Sequence, residues 1–450
     1  MNLLFRHHHY RLLLHSHHLP DQTRPLLFTG MDYSLRSKLE KLESHFTWNL
    51  GSYKNELQKL KRKMETEHQS VHFYNLLGFI QDSLGFHEEA LMSLQKAGSV
   101  IQEKEPREVQ LQVNKANLAW VYFHLGDLEK VKEYVEEVER LWGIHPAPPG
   151  CSLHPEVCGE KGWTLVRFSK EKKQEAITFF KMALKAEPNR KEWHKGLALA
   201  MSKAFLWSEL TQELKDRILV QVKRAAEFDP NDLLLQCLYV LKKSEIQKEN
   251  TEEEMQTLLQ KAISTGNLTG LCYIIEYFRR ISIDRAIQEA QRVWEKFPTP
   301  EVNKRLAIIH KHKVFIMRES LKRRQEAMKT IEFYKEFVKA YPEDLGGWVT
   351  LANLHCYTHN VERATEIYQE LLSKEQDFPP HDKQYLYRKY ANHLRFNEKS
   401  EARSIDFLMK AAEINALSEE REKSIRVLES ILLKGKKTFT VRRFATSSVP

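Results

Sequence analysis

The sequence predicts an all-α fold: a solenoid of helix pairs, extended by additional non-repeat helices and wound around a basic concave channel. Four observations carry this reading. Glycine and proline are scarce, 16 and 15 in 450 residues. The 29% charged and 42% hydrophobic residues suit helices with one buried and one solvated face. Small and aromatic residues recur at the offsets of a helix–turn–helix unit of about 34 residues, and the chain is basic, with a formal net charge of +9.

The units are taken in chain order. The first reads Tyr74, Leu77, Gly78, a turn at Gly85, then Ala90, Leu94 and Ala97. The second reads Leu118, Ala119, Tyr122, Gly126, Val131, Val135 and Val138, and the third Trp163, Thr164, Arg167, Ala176, Phe180, Ala183 and Pro188. The fourth shows its second helix, with Ile218, Val222, Ala225 and Pro230. The fifth reads Ile274, Tyr277, Ala286, Ala290, Val293 and Pro298, and the sixth, stretched by a charged segment, closes with Tyr334, Phe337 and Pro342. The seventh reads Trp348, Leu351, Ala352, His355, Ala364, Tyr368 and Leu371, and an eighth runs from Arg388 through Ala391 to Leu408 and Ala411. Small residues let the two helices of a unit approach, and aromatics fill the space between units. This is the tetratricopeptide repeat (TPR), whose helix pairs bury their apolar faces only by stacking and leave a concave surface.

The spacing is uneven. Extra residues at 145–156, 231–268 and 310–330 are expected to be helices or loops that break the superhelix into sub-bundles. The sequence divides into an extension (1–30), an N-terminal sub-bundle (31–230), a middle helical segment (231–342), C-terminal units (343–433) and a basic tail (434–450) that reads as flexible. The extension MNLLFRHHHYRLLLHSHHLP has no acid before Asp21. It is compatible with a mitochondrial-type leader, a His-based metal-binding tract, or an unstructured extension upstream of Met31.

Catalytic signatures are missing. There is no GxxxxGK[ST] phosphate loop, GxGxxG turn, HExxH helix or GxSxG elbow. His310 and His312 stand two apart and do not share a helical face, whereas His355 and His359 have ligand spacing but no third partner. Five cysteines without CxxC spacing argue against a disulfide framework or zinc site and for a reducing, cytoplasmic setting. No stretch approaches a membrane span. A binding protein without cofactor or metal is expected, not an enzyme.

Trp163 and Arg167 stand four apart at the third unit's first helix, Lys203 follows on the next first helix, and Arg279, Arg280 and Arg305 come from the two units after. Cations from successive first helices could converge on one polyanion, with Trp163 and Tyr273 stacking on bases. The competing reading makes the aromatics packing residues and the cations scattered surface charge.

Several stretches resemble the family of interferon-induced proteins with tetratricopeptide repeats: 39–50 (with HFTW at 45–48), 73–97, 117–129, 158–168, 276–287 and 348–372. The similarity runs from about Met31 to Leu433. It implies a cytosolic antiviral effector that holds the 5′ end of single-stranded RNA, triphosphate or capped, in a positively charged tunnel and blocks its translation. Arg167 and Lys203 stand at phosphate-binding positions, Trp163 at a cap-stacking position, Tyr273 and Arg279 at an aromatic and a basic RNA contact, and Arg305 at a polar one. Gln58 and Arg62 correspond to polar residues of the second helix. Cys272 and Glu276 replace basic residues, Lys173 and Leu234 replace tyrosines, and the final repeat expected beyond Leu433 is absent. The alternative is a protein scaffold in antiviral signalling whose partners are other proteins of this family or translation and signalling factors.

Overall fold

The computed structural model describes residues 30–433 apart from 52, 65–69 and 104–107; the expected N-terminal extension and basic tail lie outside the described residues. The described residues are helical with no strand. An entry helix α1 (Gly30–Leu39) and a separate helix α2 (Lys54–Met64) precede the stack. Pairs follow: α3 (Val71–Ser83) with α4 (His87–Glu103), α5 (Leu111–Leu125) with α6 (Leu128–Ile144), α7 (Pro155–Leu165) with α8 (Lys170–Ala186), and α9 (Lys191–Lys203) with α10 (Gln212–Phe228). Then come α11 (Leu233–Gln247) with α12 (Glu252–Thr265), α13 (Leu271–Ile281) with α14 (Ile283–Lys296), and α15 (Pro300–Ile316) with α16 (Ser320–Ala340). The stack ends with α17 (Leu345–Tyr357) and α18 (Val361–Leu372), α19 (Pro380–Phe396) and α20 (Glu401–Glu413), and a final α21 (Glu419–Leu433).

Local chemistry sets these boundaries. Gly85 (φ 87°) and Gly126 (φ 80°) take the left-handed turn between the helices of the first two pairs. Side chains of Ser169, Thr211, Ser282 and Thr299 accept from backbone amides at helix starts that would otherwise lack a partner. Within the stack, Phe180 is fully buried. A methyl group at Gly162 would come 3.0 Å from its ring, and one at Gly196 2.2 Å, so α7, α8 and α9 pack at a distance only glycine permits.

The three irregular stretches have different structures. Of residues 145–156, those from 145 to 154 form a loop that detaches α7 from α6 and seats it on α3 and α5. The 231–268 stretch is a further helix pair, α11 and α12, and 310–330 lengthens α15 and α16 around the turn at Met317. One core runs from Trp48 to Leu238, a second from Leu233 to Ile309 and a third from Ala307 to Leu394. Each shares a helix with the next, so the stack is continuous.

The HFTW stretch builds a buried polar node. His45 is inaccessible, with Nδ1 3.0 Å from Asn117 Nδ2 and Nε2 2.9 Å from Thr164 Oγ1. Burial holds its imidazole down near pKa 3, hence neutral. The Ser44 hydroxyl donates to Asn117 Oδ1 (2.8 Å), and Trp48 Nε1 and Lys161 Nζ donate to Glu43 (2.6 and 3.0 Å). The segment therefore fastens α5 to α7 from outside the repeat pattern.

The stack also comes round on itself. The Leu417 amide donates to Glu171, Ser208 Oγ donates to Glu422 (2.6 Å), and Lys170 lies 3.9 Å from Glu419. Helix α2 crosses the enclosed space: Asn55 Nδ2 donates to the Glu343 carbonyl (3.1 Å), Arg62 Nε pairs with the Glu343 carboxylate (3.0 Å), and Lys383 lies over the Tyr53 ring at 5.8 Å. The result is a channel walled by first helices and partly filled by α2.

Candidate nucleic-acid interface

Arg167 lies in the turn immediately after α7, its amide bonded to the Thr164 carbonyl at 3.0 Å, and not on the body of the helix. Lys203 is the last residue of α9. The two sit close enough for Arg167 to depress the lysine. Burial is the main cause that holds Lys203 below the ordinary lysine range; Cys272 works the other way, and Arg305 and Arg167 add to the lowering. Its ammonium lies 5.9 Å from the Tyr273 ring centroid. The structure thus brings together Arg167, Lys203, Tyr273 and Arg305 from the turn after α7 and from α9, α13 and α15.

Lys203 is solvent-exposed at its surface, yet protein surrounds it closely enough to penalise its charge. Both statements hold for a group on the wall of a channel, which touches water but has little bulk solvent around it. Lys173, half-buried, behaves in the same way: burial and then Lys203 bring it down to about 8, despite Glu56 nearby. Its ammonium donates to the Phe168 carbonyl. Farther along, burial lowers Lys311 and takes Lys389 to about 8, while burial, Lys311 and Arg279 take His312 to about 4. None of Lys173, Lys203, Lys311 or Lys389 forms a salt bridge with a described carboxylate. Sequence reasoning missed Lys311, His312 and Lys389. They lie on the first helices α15 and α19, and that register was the available signal.

The other expected residues are engaged differently. Arg279 makes a two-point ion pair with Glu276, Nε–Oε2 at 2.7 Å and Nη2–Oε1 at 2.6 Å, and Arg280 adds a contact at 3.1 Å. Burial opposes ionisation of Glu276, but the two guanidiniums hold its carboxyl below the usual range. Arg305 is paired with Glu301 on its own helix. Trp163 packs edge-on against Phe180 (centroids 5.5 Å, 83°) and lies parallel to His72 (5.5 Å, 8°). Gln58 and Arg62 do not join the Arg167 cluster. They line a cavity of about 540 Å³ between α2 and α17–α18, with Lys61, Phe86, Glu343 and Trp348. Leu234 is half-buried on α11.

Fold and lining together define a TPR superhelix with a positively charged internal channel. No family model matches the chain. It is similar to the human antiviral innate immune response effector IFIT1, 25% identical over 431 residues that cover 90% of this chain and 89% of that protein. It is 28% identical over 421 residues to human interferon-induced protein with tetratricopeptide repeats 2, with 88% and 87% covered. A solved structure of the human IFIT1 dimer with PPP-AAAA aligns with a TM-score of 0.65 at 24% identity, over 91% of this chain and 92% of that one. The IFIT1 dimer with m7Gppp-AAAA aligns with a TM-score of 0.63. Over nearly its whole length the chain is thus similar to interferon-induced proteins with tetratricopeptide repeats. No helix of the described residues is long and apolar enough to cross a membrane.

Proposed function

We propose that this chain is a cytoplasmic antiviral effector that binds the 5′ end of single-stranded RNA, triphosphorylated or incompletely capped, inside its channel and thereby blocks translation of that RNA. It has no reaction of its own. The observation that carries the reading is the convergence of cations on the channel wall. Arg167 and Lys203 converge beside Tyr273, and Lys173 continues the wall. A terminal triphosphate concentrates charge in a small volume, and each oxygen can accept a charge-assisted bond from such groups. Lysines whose charge is disfavoured in the free protein gain most from a polyanion. The solved IFIT1 structures with PPP-AAAA and m7Gppp-AAAA support the choice of ligand class.

The test compares short oligoadenylates that carry a 5′-triphosphate or a 5′-hydroxyl, against the wild type and Arg167→Glu, at two salt concentrations. A triphosphate preference that steepens at low salt and disappears in the variant supports the reading. Equal, weak binding of both RNAs, unchanged by the substitution, overturns it. That outcome would favour a protein scaffold, for which the mixed lining of the cavity beside α2 provides a specific surface: Phe86 and Trp348 next to Lys61, Arg62 and Glu343.

A further inference from the structure

Outside the channel, the turns of the first two pairs hold a cluster that the RNA reading does not use. Asp82, in the last turn of α3, is buried at 2% side-chain exposure, and each of its carboxylate oxygens faces a different imidazole. His87 Nδ1, from the start of α4, lies 2.7 Å from Oδ1, and His124 Nδ1, from the last turn of α5, lies 2.7 Å from Oδ2. One donor atom from each residue lies within 4.8 Å of the other two. Phe46 and Trp120 wall the His124 side, at 5.7 and 5.9 Å between ring centroids.

We propose that Asp82, His87 and His124 form a binding site for one zinc ion, which fastens the first helix pair to the second. The donor set is two imidazole nitrogens and one carboxylate oxygen. Such a set suits zinc with three protein ligands and water in the fourth position, at metal–ligand distances of roughly 2.0–2.2 Å. A tetrahedron with those bonds has edges of roughly 3.4 Å. The two 2.7 Å contacts must therefore open slightly and the widest donor separation close, which rotation of two half-exposed rings can supply.

Without metal, each neutral imidazole donates its Nδ1 proton to Asp82. Zinc takes both Nδ1 lone pairs, so each ring moves its proton to Nε2, and no proton is released from the neutral form. Protonation of either ring competes with the metal, so binding weakens in acid. The turns at Gly85 and Gly126, both with positive φ, set the approach of the two histidines. The ligands are thus presented by the fold and not by a local sequence motif. This explains why a search for paired histidines at helical spacing singles out His355 and His359 instead.

The full-length chain is first freed of metal by a chelator, then titrated with zinc chloride by calorimetry and with cobalt(II) chloride by visible absorption. Three variants are compared with the wild type: His124→Gln, Asp82→Asn, and one in which His7, His8, His9, His15, His17 and His18 are all replaced by Asn. The last removes the histidines that cluster near the N-terminus. The expected result is one zinc equivalent and intense four-coordinate cobalt bands, retained in the N-terminal variant and lost in His124→Gln. A zinc-dependent rise in melting temperature should be lost in parallel. Circular dichroism reports whether each variant is folded, and His87→Gln is the substitute should Asp82→Asn unfold. Zinc binding that survives His124→Gln and His87→Gln, or that disappears with the N-terminal histidines, overturns the site and leaves the two imidazoles as hydrogen-bonded caps on Asp82.

Discussion

On the wall built from α7 and α9, Arg167 and Lys203 stand close together with no carboxylate of their own helices opposite Lys203, and burial depresses the lysine. On the wall built from α13 and α15, Arg279 has Glu276 three residues before it and Arg305 has Glu301 four residues before it, and both pairs are formed. Since α13 and α15 also carry Arg280 and Lys311, a count of cations would not favour the first of the two walls. Their electrostatics differ, because an ion pair within one helix spends the guanidinium's donors and cancels its charge toward the channel. If the proposed reading holds, the first wall would grip a terminal phosphate group, and the second would offer only a weak path for the nucleotides that follow.

The most damaging change to that division is Arg167→Glu. It removes a cation and places a carboxylate beside Lys203. Triphosphate RNA affinity should drop by roughly 100-fold, about 2.7 kcal/mol, within the range for reversing one member of an enclosed charge cluster. Fluorescence polarisation with 5′-triphosphate oligoadenylate measures this. A loss below threefold would mean that the first wall is not the phosphate site.

The second change runs the other way. Glu276→Lys releases Arg279, while Arg280 keeps its pair with Glu245 at 2.8 Å, and the substitution restores the sign that the family resemblance leads one to expect at this position. Affinity should rise roughly tenfold, about 1.4 kcal/mol. The slope of log affinity against log salt should steepen by about 1.4 for two added charges on a single strand. Unchanged affinity and slope would place the RNA away from α13. Arg305→Ala should cost threefold or less in the same assay, because Glu301 already compensates that guanidinium; a larger loss would show that RNA breaks the Arg305–Glu301 pair on binding.

The legibility of these features in the sequence varies with their range. The repeat was readable because small and aromatic residues must recur wherever two helices touch, as with Gly162, Phe180 and Gly196. Residues 231–268 lack the small-residue signature at several positions, so their helix pair could be read only as additional helices or loops. Arg167 and Lys203 followed from the register of successive first helices. The Glu276–Arg279 and Glu301–Arg305 pairs lie at spacings of three and four and were open to a local reading as ion pairs. The Arg62–Glu343 pair joins residues 281 apart, and the polar node around His45 joins three separate segments. Contacts at such separations leave no periodic trace. The lowering of Lys173, Lys311 and Lys389 is a property of enclosure, which exists only once the stack has closed on itself.

That enclosure sharpens the comparison through pH. In the free protein burial lowers Lys173, Lys203, Lys311 and Lys389, with Lys173 and Lys389 near 8. A bound polyphosphate favours the charged amines and moves them back toward the ordinary value, so binding takes up protons. The affinity gained in this way is complete below the free-protein value and is lost as pH rises through the bound value. If one lysine near 8 is raised by about one unit, affinity should drop roughly fivefold between pH 7 and pH 9. Oligoadenylate is the suitable ligand, because adenine does not titrate in that interval. Calorimetry in buffers of different ionisation enthalpy should report net proton uptake, and Lys173→Met should reduce both the uptake and the pH slope while leaving the Glu276→Lys gain intact. Affinity that stays flat or rises with pH would mean that the buried lysines do not face the ligand, and the contrast between the two walls would then rest on Arg167 alone.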